Sequence, residues 1–273
     1  NLSRSAFTQT EEWLVLQRDV LKFAPDAVAL FFYPPNDIND MSQETAFDPL
    51  RPFCHLSSSG KLFVDTSFNK SFKFKLKSAI QHFKAHSLLV SFLTERYTLF
   101  DSNLRARKLF GKVQKTNPTL QGYLTLCTSA PDPLFLKNYE LSKFLIRRMA
   151  SLLKEKKKDL LLVSIDLPAY LPEVEEQYKK IDSTFNPNFF DEDLQKLAQS
   201  LNIPFLGLQK IFREEYRRNP NPLHWEKPQQ RRYEQFGTHA GHWNERGHQV
   251  VAQAFLNELI KWLSKENVII STD

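Results

Sequence analysis

The amino-acid sequence predicts a doubly wound α/β domain, a three-layer sandwich with a mostly parallel sheet between helices. Three observations carry this prediction. Short, almost wholly apolar runs stand at 27–33, 160–165 and 204–208, as strands buried on both faces of a parallel sheet read. Apolar residues recur at helical period before and between these runs. Strand and helix alternate along the chain, the order a parallel sheet requires. The length of 273 residues suits one large domain, so 1–273 is read as a single unit.

In chain order, residues 1–6 read as the end of a strand and the loop leaving it. Thr8 and Glu11 have capping-box spacing, so a helix begins near Thr8. Trp13, Leu16, Val20 and Leu21 share one face of it, with Trp13 expected in the core, and Ala24-Pro25-Asp26 stops it. The run at 27–33 leads into Pro34-Pro35-Asn36-Asp37, read as a loop at the strand's carboxyl end. An irregular stretch follows, with a hairpin in which Ser57-Ser58-Ser59-Gly60 turns and Lys61-Leu62-Phe63-Val64 pairs back. Asp40, at its start, is expected on the surface. Helical patterns run from about Phe72 to Phe110. Lys70, Lys73, Lys75 and Lys77 form a basic stripe there, read as a solvated helix face. From its position after the Asn36 loop, the segment 41–110 is read as an inserted specificity element. Leu141, Leu145, Met149 and Leu152 define an amphipathic helix closed by the lysines at 154–158. Leu194, Leu197, Ala198 and Leu201 define another. Val251, Phe255, Leu259 and Trp262 define the last, which begins after Asn244.

Hydrophobic residues make up 41% and charged residues 25%, a globular balance, and 23 Phe can fill an aromatic core. The net charge of +6 permits attraction to anionic polymers or surfaces without requiring it. Cys54 and Cys127 are too few and too far apart for a disulfide framework or a zinc set. They read as buried or free thiols, with a single disulfide left open. No apolar run approaches the length of a membrane span.

Ligands of open parallel sheets bind beyond the carboxyl ends of the strands. One candidate there is Asn36-Asp37. An Asn amide can donate to a developing oxyanion, and the bland reading is an Asx turn. Asp37 would orient or cap that turn. The other is the run from Gly241 to His248, in which His242 could act as general base and Asn244 could cap the following helix. The bland reading is a capped helix start with incidental histidines.

Together these segments resemble the SGNH (GDSL-type) hydrolase and esterase superfamily over nearly the whole chain. Asn1 to Thr8 looks like that family's second block. Pro25-Asp26-Ala27-Val28 leading to Asn36-Asp37 looks like the third. His242-Trp243-Asn244 with Gly247-His248 looks like the fifth. The resemblance implies an SGNH-like, flavodoxin-like fold and a Ser nucleophile served by His242. It also implies an oxyanion hole from backbone near Ser3 and Ala6 and the Asn36 side chain. Substrates would be acyl or acetyl esters of carbohydrates or lipids, in an extracytoplasmic or secreted setting, with no metal or organic cofactor.

The sequence departs from that pattern at several points. The Ser block of the family lies before residue 1, and Asp101-Ser102 stands in a helical pattern and is no substitute. Ser3, Ala6 and Thr8 replace glycines, and Pro35 precedes Asn36. Ala240 and His239 occupy the positions where an acid precedes the catalytic His. These departures motivate an alternative, a degenerate module binding a glycan, a lipid headgroup or a protein partner. Two further residue patterns stand out. Arg217, Arg218, Lys227, Arg231 and Arg232 surround Trp225 and Tyr233, but Glu214, Glu215, Glu226 and Glu234 dilute them. A nucleic-acid partner is therefore not expected, and a surface loop covering the cleft as a substrate lid is the simpler reading. His239, His242, His248 and His224 lack the ligand spacing of a zinc site, and no metal is expected.

Overall fold

The computed structural model describes residues 2, 7–57, 59–97, 100, 119–225 and 242–265. The chain divides into two compact units, Asn1–Asn39 with Leu120–Asp273, and Asp40–Thr119. It is a mixed α/β protein, with a three-stranded parallel sheet in the first unit and a two-stranded antiparallel sheet in the second.

The first unit opens with α1 (Gln9–Arg18). Its start is the expected capping box: the Thr8 hydroxyl accepts from the Thr10 amide, and the Glu11 carboxylate accepts from the Thr8 amide at 3.0 Å. Trp13 and Leu16 are buried. Val20 and Leu21 fall in a separate 3-10 turn and stay half-exposed. Ala24, in the left-handed region at φ 45°, ends that turn.

Strand β1 (Ala27–Phe32) pairs in parallel with β4 (Asp159–Ser164), which pairs in parallel with β5 (Phe205–Gly207). Further helices of this unit are α5 (Pro133–Glu155), α6 (Pro172–Ile181), α7 (Phe189–Leu201), α8 (Leu208–Arg218) and α9 (Glu245–Lys265). Strand β4 lies between the other two and is buried from Leu160 to Ser164, as its sequence predicts. Strand β1 departs from the expectation. Ala29 is exposed, and Ala27, Val28 and Phe31 are half-buried. Among the described residues β1 has a neighbour on one edge only.

Successive β1 side chains meet different helices. Phe31 packs on Phe255 of α9 at 5.7 Å between ring centroids. Phe32 packs near Tyr139 of α5 and Phe190 of α7, at 6.0 and 6.5 Å. Helix α5 starts at Asp132, whose carboxylate accepts from the Leu134 amide at 2.8 Å, with Pro133 in the first turn. Leu145, Ile146, Met149 and Leu153 are buried, while Leu141 and Leu152 sit at the margin. In α7, Leu194, Leu197 and Ala198 are buried, and Trp262 of α9 is buried too. Fully burying such a side chain stabilises by roughly 1.5–3 kcal/mol, and these residues belong to the core of the unit. Cys54 and Cys127 are both buried and neither is in a disulfide, which removes the disulfide left open above. Burial pushes the Cys127 thiol pKa well up, so it stays protonated.

The second unit holds the expected hairpin, β2 (Phe53–Leu56) and β3 (Leu62–Asp65), closed by the Ser57 amide donating to the Lys61 carbonyl at 2.9 Å. Helices α3 (Phe72–His86) and α4 (88–97) follow. Asp40 is a correction. It is buried, accepting from the Phe47 amide at 2.9 Å and from the Arg51 guanidinium at 3.0 Å. A carboxylate with a guanidinium and an amide as partners tolerates burial that a lone one would not.

Candidate functional site

Two side-chain groups stand just past the carboxyl ends of neighbouring strands. After β1, residues Pro34–Asp37 form a single helical turn, α2, where a loop was expected. Proline fixes φ in the helical range and is welcome in a first turn, where its missing N–H is no loss. Asp37 is buried, and its carboxylate accepts from the Tyr33 amide at 2.6 Å, closing the turn on itself. The turn is held from outside as well. Ser142 donates to the Asp37 carbonyl, Asn138 donates to the Ile38 carbonyl at 3.0 Å, and the Tyr123 amide donates to the Asn39 side chain at 3.1 Å. Asn36 is half-buried, and its side chain makes no hydrogen bond to a described residue. A fixed backbone thus presents an amide whose donors are available. Glu12 of α1 lies close by. Burial first, and then the nearby Asp37 charge, push its carboxyl pKa well up.

After β4 comes Asp166, whose side chain is fully enclosed. Its Oδ1 accepts from the Trp243 indole N–H at 2.9 Å. Its Oδ2 stands 3.5 Å from His224 Nε2. His224 Nδ1 lies 3.3 Å from the Tyr170 hydroxyl, and the two rings stack at 5.4 Å. The Tyr170 oxygen also accepts from the Leu223 amide at 2.8 Å. His224 is thereby held between the Tyr170 hydroxyl on one side and the Asp166 carboxyl on the other. Burial drives the Asp166 carboxyl pKa well above its ordinary value, against the lowering effect of the indole bond.

The 242–244 loop is sewn to the segment at 222–225. His224 and Trp243 form an antiparallel bridge, the Trp225 amide donates to the His242 carbonyl at 3.2 Å, and the Asn244 amide donates to the Leu223 carbonyl at 3.0 Å. Asn244 caps α9: its Oδ1 accepts from the Gly247 amide at 2.9 Å, and its Nδ2 donates to the Pro222 carbonyl at 2.8 Å. Gly247 has a steric reason. A Cβ there would lie 2.2 Å from the Leu223 carbonyl oxygen. Arg246 adds bonds to the Asn219 and Asn221 carbonyls and to Glu215.

His242 itself is exposed, and its imidazole bonds no described residue. His248 is also exposed and meets the Trp243 ring edge-on at 5.6 Å. No hydrogen bond joins Asn36 or Asp37 to the 242–244 loop among the described residues. Ser3, Ala6, His239, Ala240 and Asp101-Ser102 lie outside the described residues, as does the basic and aromatic stretch at 226–241. Among the described residues no cluster of His, Cys, Asp and Glu could hold a metal ion. His224, a possible ligand by residue type, is turned inward to Asp166 and Tyr170.

Sequence reasoning missed Asp166, Tyr170 and Glu12. The signal for Asp166 was present. It follows an apolar strand at its carboxyl end, as Asn36 does after β1. It also missed Asp191 of α7, which accepts from the Gln209 amide at 3.0 Å and whose carboxyl pKa burial raises to about 6. Gly207 makes room for that carboxylate, because a Cβ there would lie 2.5 Å from its oxygen. No known family model matches the chain, and no curated protein matches it either.

Proposed function

We propose that the first unit is a hydrolase domain of the SGNH type, doubly wound and flavodoxin-like, acting on acyl or acetyl esters of carbohydrates or lipids. One observation carries this reading. Asn36 and Asp166 follow adjacent parallel strands at their carboxyl ends, and Asp166 holds Trp243, the neighbour of His242. The contacts of Phe31 with α9 and of Phe32 with α5 and α7 support helices on both sheet faces. In the proposed reaction His242 takes the proton of a serine hydroxyl, and the serine oxygen attacks the ester carbonyl. The Asn36 amide donates to the resulting oxyanion. The imidazolium then gives its proton to the departing alcohol, and water, deprotonated by His242, releases the acid and restores the serine. Asp166 is a positioning residue, acting through the Trp243 indole.

A second reading is favoured by one feature. No described carboxylate orients the His242 imidazole, so the same edge could serve a module that binds a glycan, a lipid headgroup or a protein partner without turnover. A fluorophosphonate probe separates the two when applied to the full-length polypeptide. The hydrolase reading expects labelling of one serine, lost in His242→Ala and kept in His248→Ala. A wild-type protein that takes no label would favour the binding module.

A further inference from the structure

The helices of the second unit invert the usual order of a surface helix, which buries its apolar stripe. No residue of α3 is buried. Phe72, Leu76, Ile80 and Phe83 recur at helical spacing on one face, and all are exposed, Phe72 by 78% and Phe83 by 61%. The opposite side carries the anchoring contact, Phe74 edge-on to Phe68 at 4.9 Å. In α4 the inversion is sharper. Leu88, Leu89, Phe92, Leu93 and Tyr97 are exposed, Leu88 by 91%. Ser91 and Thr94 take the less exposed side, and the Thr94 hydroxyl donates back to the Val90 and Ser91 carbonyls.

Charge says what fits this face. Helix α3 carries Lys73, Lys75, Lys77 and Lys84, with His82 and His86, and no acidic residue. At helical spacing Lys73, Lys77 and Lys84 border one side of the apolar stripe, and Lys75 and His86 border the other. Lys77 pairs with Asp48. Lys70, Lys73, Lys75 and Lys84 make no ion pair among the described residues. Helix α4 adds Arg96, its guanidinium 5.0 Å over the Phe92 ring, and one acid, Glu95. We propose that α3 and α4 form an interfacial surface that docks the protein on a membrane containing anionic phospholipid. The aromatic and aliphatic side chains enter the boundary between headgroups and acyl chains, and the lysines reach the lipid phosphates around them. A second copy would set the same lysine borders against each other, so the charge disfavours self-association through this face.

The test is co-sedimentation of the full-length protein with vesicles of phosphatidylcholine alone or with about 30% phosphatidylglycerol, a composition with a strong surface potential. Binding is expected to the anionic vesicles and to weaken about tenfold or more at high salt. A Phe83→Asp, Leu88→Asp variant and a Lys73→Glu, Lys75→Glu, Lys84→Glu variant should each lose about tenfold or more. Phe83, Leu88, Lys73 and Lys75 are exposed and Lys84 is half-buried, so circular dichroism melts should stay close to wild type. His242→Ala should bind vesicles as wild type does, which keeps this proposal separate from the ester-hydrolase reading. No vesicle binding by wild type would overturn the proposal. So would equal binding to neutral and anionic vesicles that the lysine variant leaves unchanged. A dimer lost in Phe83→Asp, without vesicle binding, would make a second copy the occupant and overturn it too.

Discussion

Replacing Gly247 by alanine isolates the fit between α9 and the segment beneath it. At an ordinary helix position alanine is favoured over glycine by about 1 kcal/mol. Here the added Cβ would lie 2.2 Å from the Leu223 carbonyl oxygen and 3.0 Å from Trp243 Cβ. A carbon and a carbonyl oxygen rest at about 3.3 Å or more, so the two segments must separate by roughly 1 Å. That carbonyl accepts from the Asn244 amide at 3.0 Å, and the Leu223 amide is itself tied to Tyr170. Separation therefore weakens a bond worth about 1 kcal/mol and adds an overpacking cost of about 1–3 kcal/mol. The sum, set against the helical gain, is a net loss of about 1–3 kcal/mol. In a unit of this size each kcal/mol lowers the melting temperature by about 2–4 °C. Thermal unfolding followed by circular dichroism should thus show a fall of several degrees. A melting temperature unchanged or raised in Gly247→Ala would refute the steric reasoning.

Three further outcomes follow from the same geometry. Trp243→Phe keeps an aromatic ring but leaves Asp166 Oδ1 without its donor, at a cost of about 1–3 kcal/mol in urea unfolding. An unchanged unfolding midpoint would mean that the indole bond adds nothing. Asn244→Ala removes the α9 cap and the donor to the Pro222 carbonyl, for a loss of about 1–2 kcal/mol by the same assay. A loss no larger than that of a surface substitution would count against the clasp. Asp191 holds its proton more tightly folded, with a pKa raised to about 6, than unfolded, near 3.9. Its contribution is therefore fully present below about pH 4 and is lost as pH rises through about 6. Asp191→Asn, which stays neutral, should gain on wild type across that window, by at most about 3 kcal/mol. A stability difference that is the same at pH 4 and pH 7.5 would contradict this.

Local chemistry was legible in the sequence wherever the signal was itself local. The capping box of Thr8 and Glu11, the apolar run of β4, the hairpin turn before Lys61 and the Asn244 cap each depend on residues a few positions apart. Pro34-Pro35 is also a local signal, but two prolines after a strand fit a loop as well as a helix start. What escaped depends on contacts distant in the chain. Asp40 reads as a surface acid until Arg51 is brought against it. Asp166 is a lone acid after a strand until Trp243, far along the chain, donates to it. His224 looks like a stray ligand until Tyr170 and Asp166 enclose it. The exposure of Ala29 in β1 depends on what covers that face of the strand, and the apolar run alone does not encode that cover.

Ester turnover by the full-length polypeptide, compared with its His242→Ala variant on acetyl and longer-chain p-nitrophenyl esters, tests the assignment of His242 most directly. The hydrolase reading predicts measurable wild-type turnover that falls at least about a hundredfold in the variant. Turnover that the substitution leaves unchanged, or a wild-type protein that turns over none of these esters, would contradict it.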